Sequence, residues 1–372
     1  MNGGLRMCDL AVPGVRGLEP YQPGKPVEEL EREYGVRDAI KLASNENPLG
    51  PSPRALDALA RALPGIARYP DGGGFALKHA IARRHAVAPE CVTIGNGSND
   101  ILELAARCFA TTGDEVVFSQ HAFAVYPIVT QAVGARATVV PARNWGHDLD
   151  AMLRAMNERT KLVFIANPNN PTGTWIGRKA LDRFLAAVPQ RVIVVLDEAY
   201  FEYVEEPDYP NGMEWIGRYP NLLVARTFSK AYGLAGLRVG FGVSDAALAD
   251  LLNRVRQPFN VSSLAQAAAV AAIEDSDHLE RSRQVNREGM RQLIDGFRAL
   301  GLGYIPSVGN FLSVELPLAG RAVYEGLLRE GVIVRPVANY GMPHHLRVTV
   351  GLPQDNSRFL QGLKKVLATA QS

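Results

Sequence analysis

Short apolar runs alternate with amphipathic stretches along most of the chain. From about residue 52, PRALDALARALPG and FALKHAIARRHA repeat apolar residues at helical spacing. CVTIG (Cys91 to Gly95) reads as a short strand and is followed at once by ILELAARCFA, a helix. DEVVFS, ATVVPA, KLVFIANP, RVIVVLDEA and LLVARTF are further short strands, rich in valine and bounded by turn residues. Strands that are apolar on both faces suit a mostly parallel sheet covered by helices on each side, which makes the fold class α/β.

After GLRVGFGVS (Gly236 to Ser244) the texture changes. SDAALADLLNRVRQ predicts one helix, and the Ala-rich start of SSLAQAAAVAAIEDSDHLERSRQVNREGMRQLIDGFRALG opens a second, long helical stretch. Strands NFLSVEL, GVIVRPV and LRVTVGL follow, with the helix AVYEGLLREG between the first two. The expected organisation has an arm over residues 1–50, rich in Pro and Gly around the helical VEELEREYG. A large domain over 51–262 comes next, then a smaller α/β domain over 263–372, which the arm joins.

Composition narrows the functional classes. A chain of 372 residues, 47% of them hydrophobic, makes two domains or one large α/β unit. Forty Lys+Arg against 38 Asp+Glu leave no cationic surplus to track a nucleic-acid backbone or an acidic membrane. No run approaches the roughly 20 apolar residues of a membrane span. Cys8, Cys91 and Cys108 are odd in number, widely spaced and never CxxC, which speaks against a disulfide framework or zinc knuckle and for a reducing, cytoplasmic setting. His121, His147, His344 and His345 show no HxxxH or HExxH spacing, so no metal is expected.

Several strands run into polar residues that packing does not require. KLVFIANP leads into NNPTG with Asn170; RVIVVL leads into DEAYFEY with Asp197 and Tyr200; LLVARTF leads into SKAYGLAGLRVG with Lys230 and Arg238. In open α/β sheets ligands gather at the carboxyl ends of the strands. A lysine there can form a Schiff base with an aldehyde cofactor. Pyridoxal phosphate needs, in addition, a carboxylate for its ring nitrogen, a donor to its phenolic oxygen and an anion site for its phosphate. Asp197, Tyr200 with Asn170, and Arg238 meet these needs in turn. GNGSND (Gly95 to Asp100) opens a helix straight after a strand, a second cradle for phosphate.

NPNNPTG, LDEAYFEY and TFSKAYGLAGLRVG resemble the motifs of fold-type-I pyridoxal-phosphate aminotransferases. KLASNENPLGPSP, ARYPDGGGFALKHAIA, GNGSNDILELAARCF and VIVRPVANYGMPHHLRVTVGLPQDN extend the resemblance, in order, to the histidinol-phosphate aminotransferase family. It covers the chain from about residue 18 onward. The resemblance implies that Lys230 is the Schiff-base lysine and the proton carrier, that Asp197 pairs with the pyridine nitrogen, and that Tyr200 and Asn170 bond the phenolic oxygen. It further implies phosphate contacts from Ser98, Asn99, Ser229 and Arg238, with Thr227 nearby. By the same resemblance Arg347 grips the substrate α-carboxylate, Arg335 with Tyr21 recognises the far end of the substrate, and Asn47 is a substrate contact. Tyr69 would reach the cofactor phosphate of a partner subunit, making the protein a homodimer. One departure stands out: where the family often has a tyrosine over the cofactor ring, AFAVY places Phe123.

What the resemblance implies is transamination between L-histidinol phosphate with 2-oxoglutarate and imidazole-acetol phosphate with glutamate. Alternatives of the same fold are an aromatic amino-acid aminotransferase, favoured by Phe123, and a threonine-phosphate decarboxylase; a non-catalytic regulator is opposed by Lys230 and its partners. Each residue also has a plain structural reading. Asp197 suits a helix cap, Ser98 and Asn99 suit N-caps, Asn170 suits a turn, Arg335 and Arg347 suit ion pairs, and Tyr21 and Phe123 suit packing.

Overall fold

The computed structural model describes residues 7–369. Its strands are β1 (Ile40–Lys41), β2 (Val92–Gly95), β3 (Glu115–Ser119), β4 (Arg136–Val140), β5 (Thr160–Ala166), β6 (Ile193–Asp197), β7 (Leu222–Thr227) and β8 (Gly240–Ser244), followed by β9 (Tyr304–Ile305), β10 (Phe311–Glu315), β11 (Val332–Ile333), β12 (Arg335–Pro336) and β13 (His345–Thr349). Seven of them form the main sheet in the order β2-β8-β7-β6-β5-β3-β4. All neighbours in it are parallel except β8, which runs antiparallel to both β2 and β7.

Two-sided burial explains the apolar runs. Successive residues of a strand face opposite ways, and in the central strands both faces are dry. Val163 and Ile165 of β5, Val194 and Leu196 of β6, and Leu222 and Val224 of β7 enter one apolar cluster with the helices Phe75–His85, Arg178–Ala187 and Ser263–Ile273. Leu162 and Phe164, Val195, and Leu223 and Ala225 enter a second cluster with the helices Ser98–Phe109, Val125–Ala132 and Ala246–Val255.

A second, antiparallel sheet has the order β12-β13-β10-β9, and β1 of the arm pairs in parallel with β11. GVIVRPV, a single strand by its sequence, is thereby divided between two sheets. The long helical stretch is also divided: helices Ser263–Ile273 and Ser276–Ala299 meet at Asp275, whose side chain accepts from the His278 N–H at 3.1 Å. The first of these helices, expected to open the small domain, instead buries Ala265, Ala268, Ala269 and Ala272 with the main sheet. The packing changes over inside the next helix, where Leu279 still joins that cluster while Leu293 and Phe297 join the small sheet's core. Small alanine side chains let the helix lie close to its neighbours, a contact the sequence boundary at 262 overlooks.

One buried ion pair supports the carboxyl edge of the main sheet. Glu198 follows β6 and Arg226 lies on β7, both wholly buried; Arg226 Nη2 donates to Glu198 Oε2 at 2.7 Å and to Asn211 Oδ1 at 2.7 Å. Glu198 Oε1 accepts from the Gly212 N–H at 2.9 Å, and the guanidinium lies over the Phe201 ring at 3.4 Å. Glu198→Ala leaves a buried cation without its carboxylate, so a loss of about 3–5 kcal/mol is expected in denaturant unfolding. A loss below about 1 kcal/mol would show that the pair is not what holds this edge.

Candidate active site

The carboxyl ends of β5, β6 and β7 open into a cleft of about 470 Å³. Ala166, Asp197 and Thr227, the last residues of these strands, line it, and loops bring Asn170, Tyr200, Ser229, Lys230 and Arg238 to the same space. The N-terminus of the helix Ser98–Phe109 supplies Ser98 and Asn99; the small domain supplies Arg335 and Arg347; Phe123 and Tyr21 complete the wall. The structure thus gathers most of the residues singled out in the sequence.

Two are not gathered. Asn47 stands behind the cleft, its Nδ2 donating to Ala231 O and Ser282 Oγ at 2.8 Å each and its Oδ1 accepting from the Leu49 N–H. With both ends of its amide engaged it serves the packing of the arm, which corrects the expectation of a substrate contact. Tyr69 lies outside the cleft of its own chain, 83% exposed and stacked on Phe259 at 4.7 Å. Two residues that the sequence reading passed over are present instead. Asn45 donates through Nδ2 to Tyr200 Oη at 2.8 Å, and Tyr126 donates to Asp197 Oδ2 at 2.9 Å. Tyr126 lies on the first turn of the helix Val125–Ala132, just after Phe123, whose ring it meets edge-on at 6.0 Å. Asn45 had no local signal, because its partner is far along the chain.

The electrostatics follow from burial. Lys230 donates to Ser44 O at 2.8 Å, and desolvation, with Arg347 adding repulsion, lowers its amine to about 7. Desolvation raises Asp197 to about 6, opposed chiefly by the Tyr126 hydrogen bond. Oδ1 of that carboxylate is buried and without a partner. Burial also pushes Tyr200 up to about 12. Arg347 donates from Nη1 to Asn170 Oδ1 and from Nη2 to Ala43 O, both at 2.6 Å, while its Nε is buried without a partner. Arg335 is 6% exposed, faces the Tyr21 ring at 5.4 Å, and pairs with no carboxylate among the described residues.

A helix start and a guanidinium that could hold an anion meet at one end. No side chain caps the helix at Ser98, and Gly97 before it adopts φ 78. A Cβ on Gly97 would come 2.3 Å from an Arg238 guanidinium nitrogen, and one on Gly240 would come 2.4 Å from the Ser98 N. Only glycine leaves the guanidinium and the helix start this close. Arg238 also donates to Ser229 Oγ at 3.2 Å, and Thr227 Oγ1 donates to the same oxygen at 3.0 Å. A neutral amine, a buried carboxylate oxygen lacking a donor, a phenol and a cationic helix start fit pyridoxal phosphate group by group.

The family model for aminotransferases of class I and II matches residues 37–363, and the chain belongs to that family. It is 64% identical over 363 residues to histidinol-phosphate aminotransferase 2 of Pseudomonas fluorescens, covering 97% of this chain and 98% of that one. It is 60% identical to histidinol-phosphate aminotransferase 1 of Nitrosococcus oceani, over 96% of this chain and 97% of the relative. The crystal structure of histidinol-phosphate aminotransferase from Sinorhizobium meliloti in complex with pyridoxal-5'-phosphate superposes with a TM-score of 0.91 at 29% identity, covering 97% and 98% of the two chains. Among the described residues no helix is long and apolar enough to cross a membrane.

Proposed function

We propose that the protein transfers the amino group between L-histidinol phosphate with 2-oxoglutarate and imidazole-acetol phosphate with glutamate, using pyridoxal phosphate held in this cleft. When bound, the cofactor supplies an electron-accepting ring conjugated to the carbon that exchanges the amino group. In this reading Lys230 holds the cofactor's carbon and carries the proton at the reacting centre. Asp197 Oδ1 accepts from the ring nitrogen and keeps it protonated. Tyr200 and Asn170 face the phenolic oxygen, Phe123 packs against the ring, and Ser98, Asn99, Ser229 and Arg238 hold the phosphate with Thr227 behind them. Arg347, whose Nε lacks an acceptor, takes the substrate α-carboxylate.

The observation that carries the choice of substrate is Arg335. A guanidinium buried without a counter-ion is costly, and a phosphorylated substrate supplies the missing charge beside Tyr21. An aromatic amino acid brings none. The names of the relatives agree with this reading. The exposed Tyr69–Phe259 pair supports a homodimer in which Tyr69 crosses to the partner's cleft, and the free cysteines suit the cytoplasm.

The test is a single-turnover experiment on protein loaded with pyridoxal phosphate, with glutamate, histidinol phosphate, phenylalanine and threonine phosphate added separately. Conversion of the coloured form is expected to be fastest with histidinol phosphate. A faster response to phenylalanine moves the enzyme to aromatic substrates, and carbon dioxide release from threonine phosphate moves it to decarboxylation.

A pH prediction follows from Lys230. Its lowered value means that the amine is neutral above about 7 and cationic below. Colour formation on adding pyridoxal phosphate to apoprotein should therefore slow roughly tenfold per pH unit below 7 and level off above it. A rate that continues to climb toward pH 10 would show an ordinary, solvated lysine.

A further inference from the structure

Three successive residues of the arm each meet a different member of the cleft. Ala43 O accepts from Arg347 Nη2 at 2.6 Å, Ser44 O accepts from Lys230 Nζ at 2.8 Å, and Asn45 Nδ2 donates to Tyr200 Oη at 2.8 Å. Asn45 is 1% exposed and adopts φ 55, a left-handed conformation that asparagine tolerates better than most residues. Its other polar atoms are tied to the small domain. The Asn45 N–H donates to Thr349 Oγ1 at 2.9 Å, Thr349 Oγ1 donates to Asn45 Oδ1 at 3.1 Å, and Asn45 O accepts from Asn310 Nδ2 at 3.0 Å.

The direction of these bonds matters. The Thr349 hydroxyl, already an acceptor from the Asn45 N–H, gives its single proton to Asn45 Oδ1. The amide is thereby oriented with Nδ2 toward Tyr200. A phenol carries one proton and accepts through its lone pairs. Since Asn45 donates to it, Tyr200 is left to direct its own proton elsewhere, and the cleft that it lines is the open direction.

We propose that Asn45 is a positioning residue that makes Tyr200 a dedicated hydrogen-bond donor to the phenolic oxygen of the cofactor, and that it anchors this donor to β13, the strand that carries Arg347. The proposal rests on the cofactor reading given above and adds to it a residue that fixes proton direction. Asn45, which also lines the cleft, acts in this role through Tyr200. The geometry also separates Asn45 from Asn47, whose amide is engaged behind the cleft.

The test reads the midpoint of the pH-dependent colour change in protein loaded with pyridoxal phosphate, without substrate. A phenolic oxygen deprived of its donor holds the neighbouring Schiff-base proton more tightly, so loss of the donor raises the midpoint. Asn45→Gly keeps the left-handed backbone at no steric cost and removes the amide. It should raise the midpoint by roughly 0.5–1 pH unit, the scale of one hydrogen bond. The same change in a Tyr200→Phe background should raise it by less than about 0.2 unit, because the group it acts through is gone. Asn45→Asp is the companion variant: nearly isosteric, it accepts the Tyr200 proton and should raise the midpoint more in the Tyr200 chain than in the Tyr200→Phe chain. Equal shifts in the two backgrounds, or no shift in either, would overturn the proposal. Absence of any coloured adduct in the unaltered protein would instead overturn the cofactor reading on which it rests.

Discussion

Lys230→Ala is expected to lower transamination by roughly 10⁴-fold or more, since on the function proposed above it removes both the covalent anchor and the proton carrier. The fold should not suffer. In the native chain the amine is buried and its charged form disfavoured, so between pH 7 and its ordinary value of 10.5 the folded protein binds fewer protons than the unfolded chain. Stability therefore rises with pH across that window and is reduced below it, and alanine relieves the penalty. The phosphate contacts proposed for Ser98, Ser229 and Arg238 do not involve Lys230, so the variant should still take up pyridoxal phosphate without the colour of the lysine adduct. Absorbance and equilibrium dialysis separate the two. Turnover within tenfold of the unaltered enzyme, with the cofactor saturating, would remove Lys230 from the mechanism.

Asp197→Ala should cost about 10²–10³ in kcat, the usual effect of removing one preorganised electrostatic partner. The physical reason is the state of the ring nitrogen. A carboxylate facing it stabilises its proton, and the protonated ring accepts negative charge far better than the neutral one. Added cofactor should not restore the rate, which separates this effect from weak binding. The thermal midpoint offers a second reading. Oδ1 of Asp197 is buried without a partner and the carboxyl is raised to about 6 by burial, so its removal relieves a desolvation cost, while the buried Tyr126 hydroxyl loses its acceptor and offsets that gain. A midpoint close to that of the unaltered protein together with a slow enzyme is the expected pair of results. An unchanged kcat would make Asp197 a structural residue of the β6 end.

Much of this site was legible because its chemistry is concentrated at strand ends. The central residues of β5, β6 and β7 are apolar, and the polar residues at and just after their carboxyl ends stand out against that background. Asn170, Asp197, Tyr200 and Lys230 were found in this way, and the cleft collects them as the carboxyl-edge rule requires. The anion cradle was legible for a similar reason, since GNGSND places small residues where a strand becomes a helix. Residues whose purpose depends on distant partners were not. Asn45 reads as one polar residue among several in KLASNENP, and only the approach of Tyr200 and Thr349 distinguishes it from Asn47. Glu198 and Arg226 look like two ordinary charges, and nothing local reveals that both lose all contact with water. The domain boundary failed differently. Periodicity reports that Ser263–Ile273 is a helix but not which sheet its alanine face covers.

The pairing of β1 with β11 has a consequence for how the molecule is made. Ile40 and Lys41 leave the ribosome early, whereas Val332 and Ile333 follow only after nearly the whole large domain. Domains fold as units while synthesis proceeds, so the edge that carries Asp197, Lys230 and Arg238 can form before Arg335 and Arg347 exist. During that interval the segment Ala43–Asn45 has neither β11 beside it nor Thr349 to hold it. A nascent chain would thus be able to take up cofactor before it could grip a substrate, and the completed C-terminal strands would bring reactivity last.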